Sequence, residues 1–139
     1  MFQRLTAWLR RRRQERREAL LFERKVIVSF DESGISAAFP EGPTEAIAWA
    51  EVQRVAIETN DSGPWGADFW WLLEGETRRC AYPQGATGEL EAMATFPSKF
   101  PGFSQAAVIA ANGSTSNARF LCWERAKAPE PRGRPPEAV

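Results

Sequence analysis

Asp68-Phe-Trp-Trp-Leu-Leu-Glu74 is the most apolar segment of the chain. In a β-strand successive side chains point to opposite faces, so Phe69, Trp71 and Leu73 share one face. Trp70 and Leu72 occupy the other, and both faces are therefore hydrophobic. Such a strand is either central and covered on both sides, or it keeps one face for a partner. Trp71 is predicted to lie in the core.

Strand-like alternation continues on both sides of this segment, interrupted by glycine, proline and asparagine. Pro40 and Pro83 each end an apolar run, as expected for a residue without a backbone N–H. Further strands are predicted at 25–30, 35–39, 46–49, 52–59, 77–82 and 117–123.

Helical spacing of apolar residues occurs in three places. The first is near the N terminus, at residues 2–21. The second is at 88–96, with Leu90, Met93 and Ala94 expected to face inward, and the third is at 103–111. Asn112-Gly113 is typical of a helix end.

These elements predict an α+β fold with a mostly antiparallel sheet of six to seven strands. A basic helix precedes the sheet, and two helices come before the last strand. This order could curl into a partly closed barrel of the pleckstrin-homology type, or remain an open sheet. The predicted organisation is a basic amphipathic helix at 1–21, a single domain at 22–125 and a disordered proline-rich tail at 126–139.

The formal net charge of zero conceals an uneven distribution. Residues 1–25 carry nine basic and three acidic residues, a balance of +6, whereas residues 26–123 carry five and twelve, a balance of −7. The first helix combines Trp8 with arginines that could contact the phosphates of anionic lipid. Nucleic acid is the less favoured partner, because apolar residues accompany the charge, and pairing with the acidic body is the simplest alternative. The arginines concerned are Arg10, Arg11, Arg12, Arg13, Arg16 and Arg17.

Several kinds of catalytic site lack the residues they need. The chain contains no histidine, which excludes Ser-His-Asp and Cys-His pairs and histidine metal ligands. Cys80 and Cys122 are far apart, so neither a metal site nor a cofactor is predicted, and both thiols are expected to be free and buried. No signal peptide or membrane-spanning segment is recognised, which favours a cytoplasmic protein.

The loop Asn60-Asp-Ser-Gly-Pro-Trp-Gly66 and the strand after it contain the candidate binding residues. Tryptophans at an interface anchor binding when they are surrounded by a polar rim. Asp61, Trp65, Asp68 and Trp70 are therefore predicted to contact a protein partner. Asp61, Asp68 and Glu58 could instead form a carboxylate-only catalytic site, which is the weaker reading because no other motif supports it.

Three segments of the chain resemble a family of small uncharacterised bacterial proteins. They are Ile47-Ala-Trp-Ala-Glu-Val52 followed by Thr59 to Pro64 with Asp68 and Trp70, then Phe100-Pro-Gly-Phe103, and then Ser114-Thr-Ser-Asn-Ala-Arg-Phe-Leu-Cys-Trp123. The resemblance covers residues 26–125. It implies a bacterial cytoplasmic protein and supplies no activity.

Two functional hypotheses follow from these observations. The first is a non-enzymatic protein-interaction module of adaptor or immunity type, the latter inhibiting a basic toxin through its acidic face. The second is a peripheral adaptor on the inner face of the membrane, bound to anionic lipid through the arginine-rich helix.

Overall fold

The computed structural model of the chain describes residues 2–60, 68–114 and 116–126. The elements are α1 (Phe2–Lys25), β1 (Ile27–Phe30), β2 (Gly34–Ala38), β3 (Thr44–Ala48), β4 (Arg54–Asn60), β5 (Asp68–Glu74), β6 (Arg79–Pro83), α2 (Glu89–Lys99), α3 (Gln105–Asn112) and β7 (Ala118–Glu124). A single 3-10 turn, Trp49–Glu51, separates β3 from β4. The α+β class predicted from the sequence is confirmed.

The strands form two antiparallel sheets rather than one. The first has the order β1-β2-β3 and the second the order β6-β5-β4-β7. β5 is a central strand, as its two hydrophobic faces predict, and it pairs with β4 and β6. The single sheet of six to seven strands is thus not confirmed, and the described strands do not close into a barrel.

The two sheets meet along β3 and β6 without forming a regular ladder. The backbone N–H of Ala81, on β6, donates to Oε1 of Glu45, on β3, at 2.8 Å. A side chain therefore occupies the place that a backbone carbonyl would take in a continuous sheet. This contact joins β3 of the three-stranded sheet to β6 of the four-stranded sheet.

The core lies between the inner faces of the sheets and helices α2 and α3. Trp71 is almost fully buried, as predicted, and its ring packs edge-on against Phe96 of α2 at 5.4 Å between centroids. Ser104 begins α3, and its hydroxyl accepts the backbone N–H of Ala107, which satisfies one of the free donors of the first turn. The thiols of Cys80 and Cys122 are free and buried, as expected.

Several element boundaries differ from the predicted ones. α1 continues beyond residue 21 to Lys25, and α2 continues through Pro97 to Lys99. Proline is tolerated this close to the end of α2 because only the last turn loses a hydrogen bond. Apart from residue 126, the predicted tail lies outside the described residues.

Candidate functional site

The outer face of the four-stranded sheet contains an apolar groove centred on Trp70. Alternation along β5 turns Trp70 and Leu72 away from the core that Trp71 enters. The groove has a volume of about 610 Å³. We call it the Trp70 groove. Its lining residues are Phe22, Phe39, Pro40, Pro43, Glu45, Glu58, Asn60, Trp70, Leu72, Arg79 and Ala81.

Two separate parts of the chain, the β2–β3 connection and the end of α1, build the walls of the groove. Phe39 follows β2 and stacks on Trp70, with ring centroids 6.4 Å apart and planes inclined by 18°. Pro40 and Pro43 belong to the connection from β2 to β3, and Phe22 comes from the last turns of α1. The side chain of Phe22 is 43% exposed. The walls therefore expose aromatic and proline carbons to solvent.

Leu72 and Ala81 form the floor of the groove. They are directly paired between β5 and β6, and both are buried. Trp70 is only half-buried. It also borders a neighbouring hollow of about 450 Å³ that Asn117 and Arg119 help to line. Trp70 therefore lines both hollows.

The acidic groups at the rim of the groove are already engaged. Glu45 accepts from Ala81, and Oε1 of Glu58 accepts from Nη1 of Arg119 at 3.0 Å. Arg119 also donates to Glu74, so its side chain crosses the sheet between two carboxylates. Partial burial disfavours the charge of Arg119, but Glu74 and Glu58 outweigh that effect and raise the pKa of the guanidinium. These contacts hold the rim in a fixed arrangement around the apolar floor.

Of the four predicted partner-binding residues, the structure places one in a site. Trp70 lies at the centre of the groove. Asp61 and Trp65 lie outside the described residues. Asp68 begins β5 opposite Asn60, and its side chain is likewise outside the described ones.

The walls of the groove were not identified from the sequence. The sequence predicts Phe39 and Pro40 as a strand end, and Phe22 comes just after the predicted helix at 2–21. The available signal was an aromatic residue followed by two prolines, Phe39-Pro-Glu-Gly-Pro43, which is unusual for a buried turn. Which sheet face such a turn would cover depends on pairings between distant strands.

The predicted membrane-contacting residues belong to α1. Arg10, Arg11 and Arg13 are exposed along this helix. The side chains of Trp8, Arg12, Arg16 and Arg17 are outside the described ones. The end of the helix is attached to the body through the carbonyl of Arg24, which accepts from Oγ1 of Thr87 at 2.7 Å.

Neither a metal-binding cluster nor a membrane-spanning helix is present in residues 2–60, 68–114 and 116–126. In these ranges no three acidic or cysteine side chains lie close enough together to hold a metal ion. None of the described helices combines the length and apolarity that crossing a membrane requires. Glu58, the described member of the carboxylate trio, is paired with Arg119.

Comparison with known proteins gives no further guide. The chain matches no protein-family model, no curated protein and no solved structure. The functional argument therefore rests on the groove and on α1.

Proposed function

We propose that this protein is a non-enzymatic interaction module that binds a partner protein through the Trp70 groove. The observation that carries the proposal is a half-buried tryptophan, stacked on Phe39, above an apolar floor formed by Leu72 and Ala81. Tryptophans in such settings contribute a large share of binding energy, because a partner side chain that covers them removes much apolar surface from water.

The carboxylates at the rim of the groove are compatible with the binding of a partner protein. They already have hydrogen-bond donors, so a partner could dock without leaving Glu45 or Glu58 unpaired. The excess of acidic residues in 26–123 favours a partner with a basic surface. An adaptor and an immunity-type inhibitor of a basic toxin are both proteins of this kind. Asp61, Trp65 and Asp68 are proposed to extend the contact surface from the end of β4 and the start of β5.

The proposal also includes the way in which the seven strands are arranged around the core. β3 lies alongside β6, and Glu45 joins the two edges, so the seven strands follow one another around the core. The contact between β3 and β6 supports an arrangement of strands like that of a pleckstrin-homology barrel that is not fully closed. Such an arrangement is common among binding domains. Membership of a bacterial family and a cytoplasmic location likewise stay predictions.

Affinity capture with matched variants tests the proposed function. Trp70→Ala removes the central indole of the groove. Leu121→Ala is its control, since Leu121 lies on the same sheet face, is 51% exposed and does not line the groove. A protein from a lysate of the source cells should be retained by the wild type and by Leu121→Ala and lost with Trp70→Ala. Retention of the same proteins by all three would reject the groove as the binding site.

A peripheral membrane adaptor is the second candidate, favoured by the exposure of Arg10, Arg11 and Arg13 on one long helix. Each such residue near an anionic surface contributes about 1 kcal/mol of attraction. Cosedimentation with vesicles containing phosphatidylserine should then be lost when these three arginines are changed to glutamate. Equal sedimentation of wild type and variant would remove this candidate.

A further inference from the structure

The aromatic lining of the Trp70 groove determines which kind of occupant suits it. Phe39 stacks on the half-buried Trp70 with planes inclined by 18°, and Pro40 and Pro43 lie in the same wall. Grooves lined by aromatic side chains bind proline-rich segments, because such segments favour an extended conformation and lose little freedom on binding. The lining therefore favours an extended, proline-rich occupant.

Charge does not select the occupant of the groove. Glu58 is paired with Arg119, and Glu45 accepts the backbone N–H of Ala81. Arg79 lines the same groove. Two carboxylates are thus balanced by two guanidinium groups, and an occupant has to be held mainly by apolar contact.

A proline-rich segment occurs in the same chain, directly after the described residues. It is Lys127-Ala-Pro-Glu-Pro-Arg-Gly-Arg-Pro-Pro-Glu-Ala-Val139, which we call the proline tail. Its thirteen residues contain four of the ten prolines of the chain, namely Pro129, Pro131, Pro135 and Pro136. Proline fixes φ near the value of the extended polyproline II helix, so binding of such a segment costs little conformational entropy.

The proline tail follows a strand that ends on the groove side of the sheet. Glu124, the last residue of β7, is paired with Arg54 of β4. Arg54 is paired with Glu74 of β5, and Glu74 with Arg79 of β6, which lines the groove. Glu74 alternates in register with Trp70, so this row lies on the same outer face as the groove. Neighbouring strands are about 4.8 Å apart, which places Glu124 about 14 Å from the lining of the groove.

The length of the proline tail fits the distance to the centre of the groove. The path from Glu124 across this row and then along the strands to Trp70 is about 29 Å. At about 3.1 Å per residue in the polyproline II conformation, Pro129 is about 16 Å and Pro136 about 37 Å along the chain from Glu124. The prolines therefore span the position of Trp70, and the difference of about 8 Å allows the chain to change direction after β7.

We propose that the proline tail docks in the Trp70 groove of its own chain, with its proline rings against Trp70 and Phe39, and covers the groove until a partner protein displaces it. This inference rests on the proposed function, because it adds regulation to the same site. A connection of a few residues gives an effective concentration in the millimolar range, so a contact too weak to hold two separate molecules together keeps the groove covered.

Nuclear magnetic resonance of the full-length protein with a nitroxide label tests the docking. The label is attached at Ala138→Cys, near the end of the proline tail. Cys80 and Cys122 are buried, so the label reacts with the introduced thiol. It should broaden the backbone N–H signal of Ala81 in the floor of the groove. The signal of Ile109, on α3 at the opposite side of the four-stranded sheet, should stay sharp.

Two variants remove opposite sides of the proposed contact. The tail variant replaces all four prolines of the tail with alanine, and the groove variant carries Trp70→Ala. Both should abolish the broadening of Ala81. The control variant carries Glu130→Ala and Glu137→Ala, which change the tail and keep its prolines, and it should show the same broadening as the wild type. The remaining signals of each spectrum verify that the fold is retained.

Three results would overturn the docking. They are the absence of broadening at Ala81, equal broadening at Ala81 and Ile109, and broadening that persists in the tail variant. Broadening should also persist at about 0.5 M NaCl, where attraction between charges is screened. Its loss there would assign the contact to Arg132 and Arg134 and overturn the role of the prolines.

A mixed sample separates the chain's own tail from the tail of a second copy. It contains isotope-labelled protein without a nitroxide and nitroxide-labelled protein without isotopes. The signal of Ala81 should stay sharp in this sample, because the tail occupies the groove of its own chain. Broadening of Ala81 in the mixture would place the tail in the groove of a second copy and overturn docking within one chain.

Partner binding then distinguishes this inference from the proposed function. A partner captured through the groove should bind the tail variant with a Kd at least about threefold lower than that of the wild type, because the groove is always open in the variant. Equal affinity would overturn the covering of the groove. Loss of a captured partner with Trp70→Ala would support the proposed function even if Ala81 is not broadened. Broadening of Ala81 without any captured partner would support the docked tail and reject the proposed function.

Discussion

The indole Nε1 of Trp71 donates a hydrogen bond of 2.8 Å to Oε2 of Glu89, and both side chains are buried. The other carboxylate oxygen, Oε1, accepts the backbone N–H of Gly85 at 3.0 Å. Glu89 is the first residue of α2, where the free backbone N–H groups of the helix favour a negative charge. One carboxylate therefore joins the central strand, the turn after β6 and the start of a helix.

We expect Glu89→Ala to lower the free energy of unfolding by about 2–3 kcal/mol, because it leaves the indole and the Gly85 N–H buried without an acceptor. Glu89→Gln should lower the free energy of unfolding by about half as much as Glu89→Ala, because its amide supplies one acceptor oxygen whereas the carboxylate supplies two. Urea denaturation followed by tryptophan fluorescence measures both. Glu91→Ala, on the exposed side of the same turn, is the control, and an equal loss in all three variants would contradict the assigned role of Glu89.

Gly88 and Gly102 have nearly the same backbone conformation in different surroundings. Their φ angles are +90° and +87°. A Cβ at Gly88 would lie 2.2 Å from the carbonyl oxygen of Val28, whereas a Cβ at Gly102 would have no atom within 4 Å. Gly88→Ala is expected to destabilise the protein by more than about 3 kcal/mol, and Gly102→Ala by about 1 kcal/mol. Thermal unfolding compares them, and similar melting temperatures would show that the contact with β1 is not tight.

The two buried thiols should make the protein sensitive to alkaline pH. Burial raises the pKa of Cys80 to about 12, with a further contribution from Glu45, and burial raises the pKa of Cys122 to about 11, from an ordinary 9.0. Above pH 9 the unfolded chain loses thiol protons that the folded chain keeps, so stability falls as the pH rises from 9 towards 12. Below pH 9 these thiols do not affect the pH dependence.

The variant Cys80→Ala/Cys122→Ala should lose less stability than the wild type between about pH 8 and pH 10.5. Urea midpoints at both pH values measure the difference, which includes the smaller contribution that Cys80 makes, after burial, to the raised pKa of Tyr82. Parallel pH profiles would show that the thiols ionise as readily in the folded protein as in the unfolded chain.

The alternation of side chains along a single strand was sufficient to predict which face of that strand each residue occupies. The faces of β5 are assigned correctly, because Trp71 packs on Phe96 of α2 whereas Trp70 stacks on Phe39 and lines the groove on the other face.

Leu90 and Ala94 are predicted to face inward, but both are exposed, Leu90 by 66%, and only Met93 of the three is partly buried. Glu89 takes the inward position instead, because Trp71 needs a hydrogen-bond acceptor there. That requirement arises from a contact between distant segments and leaves no periodic signal in the sequence.

The walls of the groove also arise from contacts between distant segments, which leave no periodic signal in the sequence. Trp70 could be predicted as a candidate binding residue from its apolar strand, but Phe22 and Phe39 reach it only through the arrangement of α1 and the β2–β3 connection. Glu45 joins the two sheets through its side chain, which in the sequence looks like that of any exposed residue in an alternating strand. Polar groups that replace backbone hydrogen bonds between strands cannot be predicted from hydrophobic periodicity.

The contact between Glu45 and Ala81 supplies a direct test of how the two sheets are joined. Pairing of Ala81 with Leu72 turns its N–H away from β5, towards β3, where the Glu45 carboxylate accepts it. Glu45→Ala should lower the free energy of unfolding by about 1–3 kcal/mol, because this donor loses its acceptor. It should also increase concentration-dependent aggregation, since the edge of β6 is no longer covered.

Glu45→Gln separates the hydrogen bond from the charge. Its amide oxygen can still accept from Ala81, so its stability and light scattering should stay close to those of the wild type. Glu76→Ala is the control for removing an exposed carboxylate without touching the sheets. If Glu45→Ala were as stable and as soluble as Glu76→Ala, the junction would depend on packing between β3 and β6 rather than on this side chain. A loss shared by Glu45→Ala and Glu45→Gln would instead show that the negative charge is what the Ala81 N–H requires.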